Sequence, residues 1–347
     1  MLTLEPNRLT GISIPVSTGW LLGSCMEARG KQDLWTKQKP EVIEVLREQA
    51  IIQSVESSNR IEGVTVPPER LRPVVLGKVR PQDRSEEELL GYRRALNWIF
   101  SCRQPVAITP TVIQRLHTLA QGSSAGDPGE WKKLDNKIIE IMPNGERKVR
   151  FVPTTANETP RAIERLCENY RTIGDDELLP PLLSIGTFIF DLLCIHPFRD
   201  GNGRVSRLIT TLMLESKGYI VPRFISLERL IEESREDYYR VLAECSEGWH
   251  EGANEIIPWW NYFLSIIHRA YKEFESQLAS VEARPAKSEL IRQTVLDQVG
   301  QFTLSDLKAQ LPSVSPQLIK KVLASMKQTE QVRLSGRGRG ARWEVVR

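Results

Sequence analysis

Up to about residue 280, apolar residues recur every three or four positions, the spacing that gives a helix one buried face. Val42, Ile43, Val45, Leu46, Ala50, Ile51, Ile52 and Val55 form one such stripe, and Gly63 can close it, which predicts a helix from about Glu41 to Glu62. Similar patterns predict helices over roughly 87–102, 110–121, 158–172, 182–195, 203–217, 227–246 and 255–280, separated by Gly, Pro or polar clusters. The apolar run from Leu182 to Ile195 is interrupted by Asp191 and is shorter than the roughly 20 residues a bilayer span needs, so it reads as a buried helix. One stretch is β-prone instead. Lys137-Ile-Ile-Glu-Ile-Met and Arg147-Lys-Val-Arg-Phe-Val flank Pro143-Asn-Gly-Glu, which predicts a hairpin projecting from a helical body.

Beyond Arg284-Pro-Ala-Lys the pattern shortens to helices near 288–299, 304–311 and 316–328, then strands near Val332–Leu334 and Trp343–Val346. The strands are joined by Ser335-Gly-Arg-Gly-Arg-Gly-Ala-Arg, so this segment suits a small winged helix-turn-helix with an Arg-rich wing. The expected fold is all-α with one hairpin. Its expected division is an N-terminal helical region over 1–105, a core over 106–283 and the winged domain over 284–347.

Composition fits a folded chain: of 347 residues, 40% are hydrophobic and 26% charged, far from the makeup of a disordered protein. The net charge of +3 conceals an asymmetry, with 12 Lys/Arg against 5 Asp/Glu in residues 284–347 and 35 against 39 before them. A basic tail on a mildly acidic body suggests separate tasks, with DNA as a partner of the tail. Cys25, Cys102, Cys167, Cys194 and Cys245 show no Cys-x-x-Cys spacing and read as buried reduced thiols. The N-terminus lacks a positively charged start followed by an apolar run, so the expected location is cytoplasmic, with no membrane partner.

The chemistry concentrates in His196-Pro-Phe-Arg-Asp-Gly-Asn-Gly-Arg-Val-Ser-Arg207, between the buried helix and an amphipathic one. Asp-Gly-Asn-Gly leading into a helix makes an anion site, because glycine lets the backbone approach closely and the first-turn N–H groups are unpaired. In the following helix Val205, Leu208, Ile209, Leu212 and Met213 form the apolar stripe, which leaves Arg204 and Arg207 pointing out of the core. Two arginines beside that loop suit a polyphosphate better than a single carboxylate. A carboxylate at Asp200 can then hold Mg²⁺ against phosphate oxygens, and His196 can take a proton from an attacking hydroxyl. His117, His250 and His268 lack the spacing of a zinc site and read as structural, and no Walker-type phosphate loop occurs.

The stretch His-Pro-Phe-x-Asp-Gly-Asn-Gly-Arg-x-x-Arg resembles the signature of the Fic family of nucleotidyltransferases, complete from His196 to Arg207. The resemblance covers most of the chain and implies a helical bundle with a β-hairpin flap beside the motif, a layout the body from about residue 40 to 280 matches, with the catalytic core over 106–283. It implies transfer of AMP from ATP to a Ser, Thr or Tyr hydroxyl of a protein, the chain itself included, with release of pyrophosphate. By position, His196 is the general base and Asp200 the Mg²⁺ ligand. Phe198 anchors the loop, and the amides of Gly201, Asn202 and Gly203 hold phosphates, with Arg204 on the β-phosphate and Arg207 on the γ-phosphate. Gly203 and Arg207 separate the chain from the phosphotransferase branch.

Ser58-Asn-Arg-Ile-Glu62-Gly63 is similar to the family's inhibitory motif, and Ser58 and Glu62 share one helical face. Glu62 is expected to pair with Arg207 and displace the γ-phosphate, so that the resting enzyme is autoinhibited. The resemblance also assigns Arg150, Phe151 and Val152 to a target-docking flap and Tyr238 and Tyr239 to the nucleotide, whereas Ser246 stands where some relatives carry an asparagine. A homodimer is implied in the same way. In the tail, Gln317, Lys320, Lys321, Arg337, Arg339 and Arg342 are positioned to meet DNA phosphates or a protein. Three alternatives stand beside AMP transfer: a nucleotide-sensing DNA-binding regulator, transfer of another group such as UMP, GMP or phosphocholine, and removal of AMP.

Overall fold

The computed structural model describes residues 2–9, 11–38, 40–121, 127–141, 147–282, 287–298, 300–312, 314–336 and 341–346. The chain begins with α1 (Pro6–Leu9), α2 (Val16–Gln38), α3 (Pro40–Ile61), α4 (Pro68–Val75), α5 (Arg84–Ser101) and α6 (Pro110–Gln121). The hairpin β1 (Ile138–Ile141) and β2 (Arg147–Phe151) comes next. It is followed by α7 (Thr159–Asp175), α8 (Pro181–Ile195), α9 (Asn202–Ser216), α10 (Leu227–Glu233), α11 (Arg235–Ser246) and α12 (Ile257–Glu282). The chain ends with α13 (Lys287–Leu296), β3 (Gln301–Phe302), α14 (Leu304–Gln310), α15 (Pro316–Gln328), β4 (Val332–Ser335) and β5 (Arg342–Val345). Proline opens many of these helices, at a position where its missing N–H costs no internal bond.

Two compact units divide the chain at Glu275/Ser276, inside α12. In the first, α8 is buried around its whole circumference, as its nearly continuous apolar sequence requires. Its one charge, Asp191, is fully buried and satisfied by three donors: the backbone N–H of Thr3 (3.0 Å) and Leu4 (2.7 Å) and the indole N–H of Trp249 (2.7 Å). Burial still pushes its carboxyl above the usual range. Helix α9 packs beside α8 and is also contacted by α3, α5 and α6.

The hairpin pairs antiparallel with Ile139 opposite Val149 and an irregularity between Ile138 and Ile139. Its expected Asn-Gly turn lies outside the described residues, as does the boundary at Arg284. Several elements differ from the sequence expectation, among them α1 and β3, which it lacked. Helix α2 buries one face through Thr18, Leu22 and Cys25, but its apolar residues do not mark that face, since Val16 and Trp20 are 90% and 79% exposed. The helix expected over 227–246 is two, because the backbone leaves the helical region at Ser234 (φ −115°, ψ 31°), whose N–H donates to the Ile231 carbonyl at 3.2 Å. Helix α4 has Pro73 inside it, a residue that argues against a helix on sequence alone.

The second unit, described by itself, gathers Ile291, Val295, Phe302, Leu307, Ile319, Leu323 and Met326 into its own core. Its sheet is antiparallel in the order β3-β5-β4, and a reciprocal cap between Thr303 and Asp306 opens α14. Among the described residues no helix is long and apolar enough to cross a membrane.

Candidate active site

Helix α8 ends at His196, whose left-handed backbone (φ 51°) donates its N–H to the Leu192 carbonyl at 2.9 Å and turns the chain into the loop. Two residues outside the motif brace that loop. Lys132 donates to the Ile195 carbonyl (Nζ, 3.0 Å) and to the Pro197 carbonyl (backbone N–H, 2.8 Å), and Asn136 to the Phe198 carbonyl at 3.3 Å. Phe198 is fully buried and stacks on His117 at 3.8 Å between ring centroids. The Gly129 N–H donates to His117 Nδ1 (2.8 Å), which leaves Nε2–H to donate to the Asp200 carbonyl at 3.1 Å. Asn202 closes the loop from within: its side chain accepts from the Phe198 N–H (2.9 Å) and donates to the Phe198 carbonyl (2.8 Å).

His196 and the start of α9 face one cavity of about 690 Å³, lined by His196, Gly203, Arg207, Glu62, Tyr238 and Tyr239 together with Arg150, Phe151 and Ser246. Burial, with the nearby Lys132 charge, pushes the His196 pKa down to about 4. The ring is therefore neutral near pH 7. Its Nδ1 lies 3.3 Å from the Leu193 carbonyl, so Nδ1 carries the proton and Nε2 the free lone pair.

Arg204 and Arg207 do not point into solvent as their helix alone suggested; they are 2% and 4% exposed. The face of α9 opposite its apolar stripe is covered by α3, α5 and α6, and each brings a partner. Arg207 donates to Ser58 Oγ (2.9 Å), to the Ser58 carbonyl (2.9 Å) and to Glu62 Oε1 (2.8 Å). Arg204 donates to Glu88 Oε2 (2.7 Å) and to Gln121 Oε1 (3.3 Å). Arg204 Nε and Arg207 Nη1 remain buried with no hydrogen-bond partner, two donors that an anion could satisfy.

Gly63, at φ 80°, closes α3 and leaves Glu62 in the turn just beyond it. The glutamate reaches so close to the start of α9 that a Cβ on residue 203 would collide with its Oε1. Gly201, at φ 76°, supplies the left-handed turn that begins α9.

Residues 107–214 match the family model described as the Fic/DOC family. That stretch is similar to a Fic/DOC domain. Over 253 residues it is 24% identical to a protein named "Protein adenylyltransferase Fic" from Nematostella vectensis, covering 71% of this chain and 53% of that protein. Over 212 residues it is 27% identical to the protein of the same name from Drosophila grimshawi, covering 58% and 39%. The chain thus spans about half the length, or less, of these relatives. Among solved structures, a Fic family protein from Desulfovibrio desulfuricans G20 superposes with a TM-score of 0.64 at 20% identity, covering 96% of this chain and 97% of that one. A Fic domain-containing protein from Bacteroides thetaiotaomicron gives 0.62 at 22% identity, covering 74% and 97%.

Of the residues expected to act together, the cavity collects His196, Gly203, Arg207, Glu62, Tyr238, Tyr239, Arg150 and Phe151. Asp200, Gly201, Asn202 and Arg204 lie behind or beside it. Asp200 is 59% exposed; its Oδ1 accepts the Gly201 N–H at 2.7 Å, and its Oδ2 faces Arg84 at 3.3 Å. Tyr238 is buried against Trp259, while the Tyr239 ring lies near the guanidiniums of Arg150 and Arg235 at 5.4 and 5.6 Å.

The flap residues are engaged with the body. Arg150 donates to the Tyr239 carbonyl, Phe151 stacks on His250 at 5.6 Å, and the Val152 carbonyl lies 2.8 Å from His250 Nε2. Val152 itself is 51% exposed and stands outside the cavity. Sequence reading missed Glu88, Gln121 and Lys132, single polar residues outside the motif with no local pattern to mark them.

Proposed function

We propose that this chain is an autoinhibited protein adenylyltransferase that moves AMP from ATP to a protein hydroxyl. The supporting observation is the meeting, in one nucleotide-sized cavity, of a neutral histidine with a free Nε2 and a helix start bearing Gly203 and Arg207. The target oxygen forms a bond to the α-phosphorus while its proton passes to His196 Nε2. The bond from that phosphorus to the oxygen bridging toward the β-phosphate breaks, and pyrophosphate leaves with its charge met by Arg204 and Arg207. In this reading Tyr239, which lines the cavity, stacks on the adenine. Among the described residues no group of three or more His, Cys, Asp or Glu could cage a metal, but one carboxylate with phosphate oxygens is enough for Mg²⁺. Asp200 would hold that ion, which would neutralise phosphate charge when bound.

In this reading Glu62 is the restraint. Its carboxylate occupies the guanidinium that a γ-phosphate needs and repels that phosphate, so ATP binds with its α-phosphate out of line. Incubating wild type and Glu62→Gly with α-labelled ATP and lysate tests the whole reading. Labelled protein should accumulate with the variant and vanish when His196→Ala is added, whereas equal labelling of all three would sink it. Parallel α-labelled GTP and UTP decide the transferred group.

The second unit carries its own proposal. Gln317, Lys320 and Lys321 are exposed on α15, and Arg342 is exposed on β5, while Arg337 and Arg339 lie outside the described residues. The three helices and the β3-β5-β4 sheet support a winged-helix reading, in which these groups contact DNA phosphates. Binding of the full chain to duplex DNA that weakens steeply with salt is expected, and salt-insensitive or absent binding overturns it.

A further inference from the structure

Arg204 is held mainly from outside the motif that contains it. Its strongest partner, Glu88, lies 116 residues earlier on α5, at 2.7 Å, and the two side chains are 2% and 3% exposed. Glu88 has a second arm: its other oxygen accepts from Arg84 Nε at 2.8 Å, and Arg84 Nη2 reaches Asp200 Oδ2 at 3.3 Å. Arg204 Nη2 lies 3.9 Å from the same Asp200 oxygen. The four groups therefore form a closed ring of alternating charge, with the buried carboxylate at its inner corner.

A guanidinium buried with no anion is costly, so the carboxylate that faces it fixes where it sits. Glu88 takes Arg204 Nη1, Gln121 takes Nη2, and Nε is left as a buried donor without a partner. The side chain is thus oriented from α5 and α6, and Nε is its one unsatisfied donor.

We propose that Glu88 is the positioning residue of the phosphate cradle: it aims Arg204 at the second phosphate of the nucleotide from a helix outside the motif. This rests on the reading of the cavity as an ATP site. Glu88 touches no substrate and acts only through Arg204. Its loss should therefore be felt by nucleotides that have a β-phosphate and not by those that lack one.

The test uses the full chain carrying Glu62→Gly, so that the cradle is open, with calorimetric titration of AMP, ADP and a non-hydrolysable ATP analogue in the presence of Mg²⁺. Adding Glu88→Gln is expected to weaken ADP and the ATP analogue about tenfold while AMP stays within about twofold, the loss of one charge-assisted contact. Should that protein not fold, as circular dichroism will show, Glu88→Asp keeps the charge and withdraws it by one methylene. It should give the same selective loss at about threefold. An equal change for all three nucleotides, or none, overturns the assignment, because a residue that merely stabilises the bundle does not discriminate by phosphate number. Failure of the Glu62→Gly parent to bind any nucleotide overturns the reading of the cavity instead, and this assignment with it.

Discussion

The two arginines of the motif are restrained in the same chemical way but in different surroundings. Arg204 meets Glu88 inside the bundle, with both side chains 2–3% exposed, whereas Arg207 meets Glu62 just beyond the end of α3, where the carboxylate is 31% exposed. The first pair is part of the scaffold. The second has one partner at a helix terminus, where local opening costs least. The difference teaches that an ion pair's role here follows from which partner can leave: Glu88 cannot move without unpacking α5, and Glu62 can withdraw by loosening one turn.

Substitutions can break or sharpen that contrast. The largest effect belongs to the proposed base: in a Glu62→Gly background, His196→Ala should cut protein labelling by roughly 10²–10⁴-fold. Glu88→Ala leaves a buried guanidinium unpaired and should cost about 3–5 kcal/mol in urea unfolding. If it costs no more than Glu62→Gly, which removes a one-third-exposed carboxylate and leaves Arg207 its two bonds to Ser58, the contrast is wrong. Glu62→Gly should instead act on turnover, raising labelling by roughly 10- to 100-fold, the worth of one charged contact at the γ-phosphate.

The smallest effect is in pH. Because the His196 pKa is lowered to about 4, labelling by Glu62→Gly should be flat between pH 6 and 8 and fall only as acid protonates the ring. An unperturbed histidine would give a midpoint near 6.5. Glu62 raises the His196 pKa, so its removal cannot move the midpoint upward. For stability the sign is the same: a base that must stay neutral when folded contributes above its unfolded pKa, and that contribution is lost as pH falls toward 4.

Much of this site could be read from the chain because it is contiguous. His196 to Arg207 spells out a helix end, a tight loop and a helix start, and each residue type answers a local need. The hairpin and α3 were legible for a related reason, since turn residues and a stripe are short-range signals. What could not be read depends on neighbours distant in sequence. The orientation of Arg204 and Arg207 was misjudged because the stripe of α9 reports only the packing against its own apolar face, while three other helices cover the rest. Glu88 shares α5 with other acidic residues that look equally solvated, and only the crossing with α9 singles it out. Helix α2 was missed because its apolar residues lie on both sides.

His196 sits at a positive φ of 51°, a conformation that asparagine tolerates well and β-branched residues do not. Exchanging the imidazole for an amide at that position should keep the shape of the loop while deleting its proton acceptor. Such a chain, freed of Glu62, would hold nucleotide and client together without joining them, and so would serve as bait for the clients themselves.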